Sequence, residues 1–138
     1  SGGGGLVSTA DDYLRFAQMM LNRGELDGVR ILKPETVDLM TRNHLPDELV
    51  PIGLGPIRLA NVGFGLDFSV RVKTEKGEPA GSLGEYGWGG AASTQFFVSP
   101  RDEMICIGMT QFMPATPVYF QDARKKLYTA VLEPALAE

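Results

Sequence analysis

The sequence predicts an α+β fold in which helices pack on an antiparallel sheet. Three observations carry that expectation. Apolar residues recur at helical spacing near both ends of the chain, at Tyr13, Phe16, Ala17, Met20 and Leu21 and again at Phe120, Ala123, Leu127, Ala130 and Val131. Between them, Val62, Phe64, Leu66, Phe68, Val70 and Val72 alternate with small or polar residues, the period of a half-buried strand. Two more β-rich stretches, 86–98 and 104–112, flank the turn sequence Ser99-Pro100-Arg101-Asp102.

Composition sets the frame for these elements. A chain of 138 residues, 43% hydrophobic and 22% charged, has the size and balance of one folded domain. A single cysteine, Cys106, excludes an internal disulfide framework, and with a single histidine, His44, it excludes a His/Cys zinc cage. The net charge of −4 argues against a general nucleic-acid surface. No run approaches the ~20 apolar residues of a membrane-spanning helix. Glycine is concentrated: Gly2 to Gly5 form a run, and ten of the 17 glycines lie between Gly53 and Gly90. The chain opens on Ser1, with no charged-then-apolar leader pattern. That opening fits either a tag scar or the absence of an upstream segment.

Each element has a local cause. Ser8 or Thr9 can cap a helix over 10–22, with Asp11 and Asp12 at its positive end and Gly24 as the stop. Asp27-Gly28 is a turn between Leu26 and Val29, and Pro34 suits the first position of a short helix over 34–42. Residues 44–60 read as a loop because Pro46, Pro51, Gly53, Gly55 and Pro56 break any period. The strand at 62–72 is followed by a polar turn region at Lys76-Gly77 and Pro79 to Ser82. The stretch 104–112 is nearly all apolar, as in a strand buried on both faces. Pro117 opens the last helix, over 118–132, and Glu133-Pro134 closes it.

The chain holds no complete catalytic set. G-x-S-x-G fails because Ala80 stands at the first glycine position before Ser82, and no serine is followed by lysine at the third position. Gly87 to Ala92 formally fits G-x-G-x-x-A, but residues 93–98 are strand-like where a dinucleotide site needs a helix. The acidic pairs Asp11/Asp12, Asp47/Glu48 and Asp102/Glu103 are sequence neighbours that point apart. Cys106 reads as a small core residue, and His44 as a solvated, capping or cleft-rim group. Arg124-Lys125-Lys126 reads as a solvated helix face.

What remains is Tyr86-Gly87-Trp88-Gly89-Gly90-Ala91. It resembles the third motif of the serine β-lactamase and penicillin-binding-protein superfamily, where a strand beside the active site carries Lys-Thr-Gly or a variant such as Trp-Gly-Gly. SGGGGLVSTADDYLRFAQMML, ILKPETVDLM and WGGAASTQFFVSPRDEMICIGMTQFMP are similar, in order, to the family's glycine-rich turn and helix, its next short helix, and its motif strand with hairpin. Trp-Gly-Gly is closest to the carboxylesterase branch (family VIII esterases). The upstream S-x-x-K and Tyr-x-Asn or Tyr-x-Ser elements are absent: the tyrosines lead only to Arg15, Trp88, Gln121 and Ala130.

The resemblance therefore implies that residues 1–138 are the C-terminal portion of a β-lactamase/transpeptidase-like domain. Trp88, Gly89 and Gly90 would then bind substrate, with Tyr86 packing or lining the cleft, and the Ala91 amide would donate to an oxyanion. It implies an acyl-enzyme on an upstream serine, an ester or amide substrate, and no metal or organic cofactor. Trp88, lacking the motif lysine's charge, favours an uncharged acyl or alcohol group over a β-lactam carboxylate. Packing readings stay open, with Trp88 as a sheet aromatic and the glycines as a bulge or close strand contact. The implied partner is the N-terminal portion of the same fold. The alternative is a non-catalytic binding domain whose sheet edges are covered by self-association. Cys106 is compatible with cytoplasm or periplasm.

Overall fold

A computed structural model describes residues 5–50, 52–54, 57–74, 82–116 and 118–132. Helix α1 (Ala10–Leu21) begins where Thr9, in extended conformation, accepts a hydrogen bond from the Asp12 amide. It ends at Asn22, with Arg23 and Gly24 in left-handed conformations and the Gly24 amide bonded to the Met19 carbonyl. Strands β1 (Glu25–Leu26) and β2 (Val29–Arg30) form a hairpin whose turn residues Asp27 and Gly28 both have positive φ, as a two-residue hairpin turn requires. Helix α2 (Pro34–Met40) starts on its proline, and the His44 ring bonds the Leu39 carbonyl near its end, a capping role.

The stretch expected as a loop over 44–60 contains a 3₁₀ turn at Asp47–Leu49 and a hairpin of β3 (Ile52–Leu54) with β4 (Ile57–Leu59). Pro51, Gly55 and Pro56, the polar turn region up to Gly81, Pro117, Glu133-Pro134 and Gly2 to Gly4 lie outside the described residues.

The main sheet is a five-stranded antiparallel meander: β5 (Val62–Phe64), β6 (Ser69–Arg71), β7 (Tyr86–Gly89), β8 (Gln95–Ser99) and β9 (Met104–Gly108), in that order. Two expectations change here. The alternating stretch 62–72 is a hairpin rather than one strand, because Gly65 to Phe68 turn the chain with Asp67 at positive φ. Gly65 has to be glycine: a Cβ there would collide with the Met40 carbonyl, while the Leu66 amide bonds that same carbonyl. The stretch 86–98 is likewise two strands, divided by a turn in which the Gly90 amide bonds the Thr94 carbonyl at 2.7 Å and Ser93 takes φ 63°.

Register separates the faces. Gly63, Val70, Tyr86, Val98 and Ile105 form one row across the sheet, and Ser69, Gly87, Phe97 and Cys106 form the next row on the opposite face. The first face packs under α1, where Ala17, Met19, Met20, Phe68, Val70, Tyr86, Phe96 and Val98 build the core with Val37 of α2. The second face carries α3 (Val118–Leu132), with Phe120 edge-on to Phe97 and Tyr128 stacked on it at 12°.

The α3 stripe differs from the expected one. Ala123, Ala130 and Val131 are exposed, while Arg124 and Tyr128 are buried beside half-buried Phe120 and Leu127. Arg124 thus leaves the solvated face expected for it, because a buried carboxylate, Glu85, stands opposite. Strand β9 is half-buried along its whole length, not fully buried, because it is the terminal strand of the described sheet.

Candidate active site

The candidate site grows from the side of β7 that, among the described residues, no strand covers beyond Gly87. Strand β8 pairs with β7 along its length, from Tyr86 to Gly89, but the β6 register stops at Gly87. Trp88, Gly89, Gly90 and Ala91 therefore lie beyond the reach of β6, and all four are exposed. Ser69 marks the boundary, its hydroxyl donating to the Gly87 carbonyl at 2.7 Å. One of the glycines is dictated by its neighbours: a Cβ on Gly87 would collide with the Phe96 carbonyl, whereas one on Gly90 would meet only the Thr94 hydroxyl at close range. Close strand packing is thus realised at Gly87, and the tight turn at Gly90.

The segment after β9 buttresses that turn. Thr110 Oγ1 donates to the Ala92 carbonyl at 2.7 Å, and the Phe112 amide donates to the same carbonyl at 3.1 Å. The Ser93 hydroxyl donates to the Phe112 carbonyl at 2.8 Å and accepts from the Thr116 amide at 3.0 Å. The two residues after Ala91 are therefore fixed while Ala91 itself is exposed, and among the described residues its amide donates to no backbone carbonyl. A main-chain N–H held this way is a ready donor to a ligand oxygen.

Trp88 is 38% exposed and stands edge-on to Phe64, with ring centroids 5.2 Å apart and planes at 89°. It borders two cavities. One, of ≈ 270 Å³, lies on the α1 side, where Thr9, Tyr13, Phe96 and Ile107 give an apolar wall. The other, of ≈ 330 Å³, is bounded by Gly87 to Ala91, by Leu59 and Val62, and by Thr116, Phe120, Gln121 and Arg124 from the far side. Arg71 and Glu85 also line it.

The structure brings Trp88, Gly89, Gly90 and Ala91 together along this second cavity. It does not bring Tyr86 there. Tyr86 is 2% exposed in the core beneath α1, its hydroxyl buried without a hydrogen-bond partner among the described residues, and burial pushes its pKa upward. The physical reason is coverage: Tyr86 shares its row with Val70 and Val98 under the helix, whereas Trp88 reaches the helix's beginning at Thr9 and Tyr13. Sequence reasoning missed the helix wall of the cavity. An Arg124-x-x-x-Tyr128 spacing puts a cation and a phenol on one face of a helix, which is the only signal the sequence offers for it.

Cys106, central in β9, is partly buried, and burial together with the Glu85 charge pushes its thiol pKa up. That is the opposite of an activated nucleophile. Among the described residues, no three His, Cys, Asp or Glu side chains gather as a metal site, and no helix is long and apolar enough to cross a membrane.

An antiparallel meander with helices on both faces, and a glycine-flanked tryptophan strand opening on a cleft, is the sheet portion of a β-lactamase-like hydrolase fold. The chain belongs to the Beta-lactamase family, whose profile matches residues 1–130. Protein Rv1367c of Mycobacterium tuberculosis (strain ATCC 25618 / H37Rv) is 43% identical over 116 residues, covering 81% of this chain and 29% of its own. Among solved structures, a simvastatin synthase variant from Aspergillus terreus (LovD6) superposes with a TM-score of 0.70 at 24% identity, covering 91% of this chain and 34% of its own. EstCE1, described as a hydrolase with promiscuous acyltransferase activity, superposes with a TM-score of 0.70 at 25% identity, covering 95% and 31%. The chain thus spans less than a third of the M. tuberculosis relative it matches.

Proposed function

We propose that this chain forms the C-terminal wall of a serine hydrolase cleft, with Trp88, Gly89 and Gly90 binding an ester substrate and the Ala91 amide donating to the oxyanion. The observation that carries this reading is the side of β7 that no described strand covers beyond Gly87: main chain from Trp88 to Ala91 that is exposed, beyond the reach of β6, and lined by a cavity. A substrate lying along a strand needs the main chain close, and glycines permit that approach. A fixed amide aimed at developing negative charge is worth about 3–4 kcal/mol in comparable hydrolases. The nucleophilic serine and its lysine partner would belong to an N-terminal portion of the same domain, acting through an acyl-enzyme.

Trp88 in place of the motif lysine supports the carboxylesterase branch, because an aromatic wall suits an uncharged acyl or alcohol group. Turnover of p-nitrophenyl butyrate and nitrocefin by a longer protein carrying an upstream S-x-x-K tests this. Butyrate-ester hydrolysis should dominate; dominant nitrocefin turnover overturns the ester assignment. A second reading, a non-catalytic domain that binds a partner or itself, is favoured by the half-buried terminal strand β9 and the exposed Met109, Phe112 and Met113 beyond it. A fully active longer enzyme removes it.

A further inference from the structure

The start of β7 is tied to α3 by a buried charge cluster. Arg124 is 5% exposed and Glu85 8%, and Tyr128 is fully enclosed. Arg124 Nε donates to both Glu85 carboxylate oxygens, at 2.9 and 2.8 Å, and the Tyr128 hydroxyl donates to Oε2 at 2.8 Å. The guanidinium also lies over the Tyr128 ring, 5.2 Å from its centroid. A buried ion pair adds little net stability, because desolvation offsets the attraction. Here the balance is worse, since Arg124 Nη2 is buried with no hydrogen-bond partner among the described residues.

Geometry accounts for its presence. The main chain of Glu85 is itself fixed, its carbonyl accepting from the Arg71 amide at 2.8 Å and its amide donating to the Ser82 carbonyl at 3.1 Å. Three residues further on stands Trp88, which lines the ≈ 330 Å³ cavity together with Glu85 and Arg124. We propose that the Glu85–Arg124–Tyr128 cluster is a positioning device that holds the Trp88–Ala91 strand against α3 and so sets the width of the cleft. Arg124 and Glu85 are positioning residues that act through the strand. The proposal rests on Trp88 to Ala91 being the site strand, but its test reads the strand's geometry rather than turnover, so the two readings can fail separately.

Trp88 is the one tryptophan of these 138 residues, so in this chain tryptophan emission reports the strand. The double variant Glu85→Gln/Arg124→Met replaces the ion pair by uncharged groups of similar volume. Arg124→Lys keeps the charge and loses the planar guanidinium. The expected result is a double variant that melts cooperatively near the parent's temperature with Trp88 emission shifted to the red and quenched more readily by acrylamide. Arg124→Lys should show the same shift. A folded double variant with the parent's Trp88 spectrum overturns the proposal, and so does one that fails to fold, since the cluster's role would then be stability alone. Parent-like emission from Arg124→Lys overturns it as well, because charge without fixed geometry would suffice.

Discussion

Phe64 meets Trp88 edge to face, with ring centroids 5.2 Å apart. The contact joins β5 to the exposed end of β7 at the point where β6 no longer spans the two strands. An edge-to-face pair contributes about 0.5–1.5 kcal/mol beyond its buried area. Phe64→Leu should therefore lower stability by about 1 kcal/mol and shift Trp88 emission to the red; thermal unfolding and fluorescence of the variant check both. A spectrum unchanged from the parent would mean that Trp88 is held from elsewhere.

Gly87 and Gly28 are glycines for different reasons, and alanine should separate them. A Cβ at Gly87 collides with the main chain of β8, which cannot move without disturbing the sheet. Gly28 has open space around it but φ +77°. Urea unfolding should show a loss of about 3 kcal/mol or more for Gly87→Ala, as for severe overpacking. Gly28→Ala should lose only about 1 kcal/mol, the cost of a left-handed alanine.

Thr9 caps α1 and, with Tyr13 one turn on, lines the smaller cavity. Thr9→Ala should cost about 1 kcal/mol, and Thr9→Ser should restore most of it. The melting temperatures of the two variants decide.

Alkali should unfold this protein through its buried phenols. Burial raises the pKa values of Tyr86, Tyr128 and Tyr13 above the ordinary tyrosine value of 10.0, favouring the neutral form in the folded state. The unfolded chain then releases protons first, so this contribution is fully present below about pH 10 and is lost as pH rises beyond it. Phenolate absorbance from the enclosed Tyr86 and Tyr128 should appear together with unfolding, not before it. Ionisation of all tyrosines in a still-folded chain would contradict the burial.

Much of this fold can be read from residue order, because its causes are local. The Thr9 cap, Pro34 and the Asp27-Gly28 turn each act within a few residues, and helices and hairpin appear where those signals stand. Period-2 alternation from Val62 to Val72 hides the turn at Gly65–Phe68, because apolar residues keep falling on even positions through it even though the pairing of Phe64 with Ser69 and of Gly63 with Val70 puts Val62 and Phe64 on the opposite face from Val70. Trp88 to Ala91 can be singled out because Trp-Gly-Gly resembles a family motif, a local signal of three adjacent residues. Arg124 cannot, because what buries it is Glu85, 39 residues earlier in the chain. Adjacency in sequence puts Tyr86 beside the cleft, yet the α1 cover that encloses it is a long-range contact.

Covalent labelling by a fluorophosphonate probe tests the reading of this chain as one wall of a serine hydrolase most directly. The 138-residue chain and a longer protein that carries it should be treated side by side and the labelled peptide sequenced. The cleft-wall reading predicts no label on the 138-residue chain and a single label on the longer protein, at a serine outside residues 1–138. A label on any serine of the 138-residue chain, or none on a folded longer protein, would contradict it.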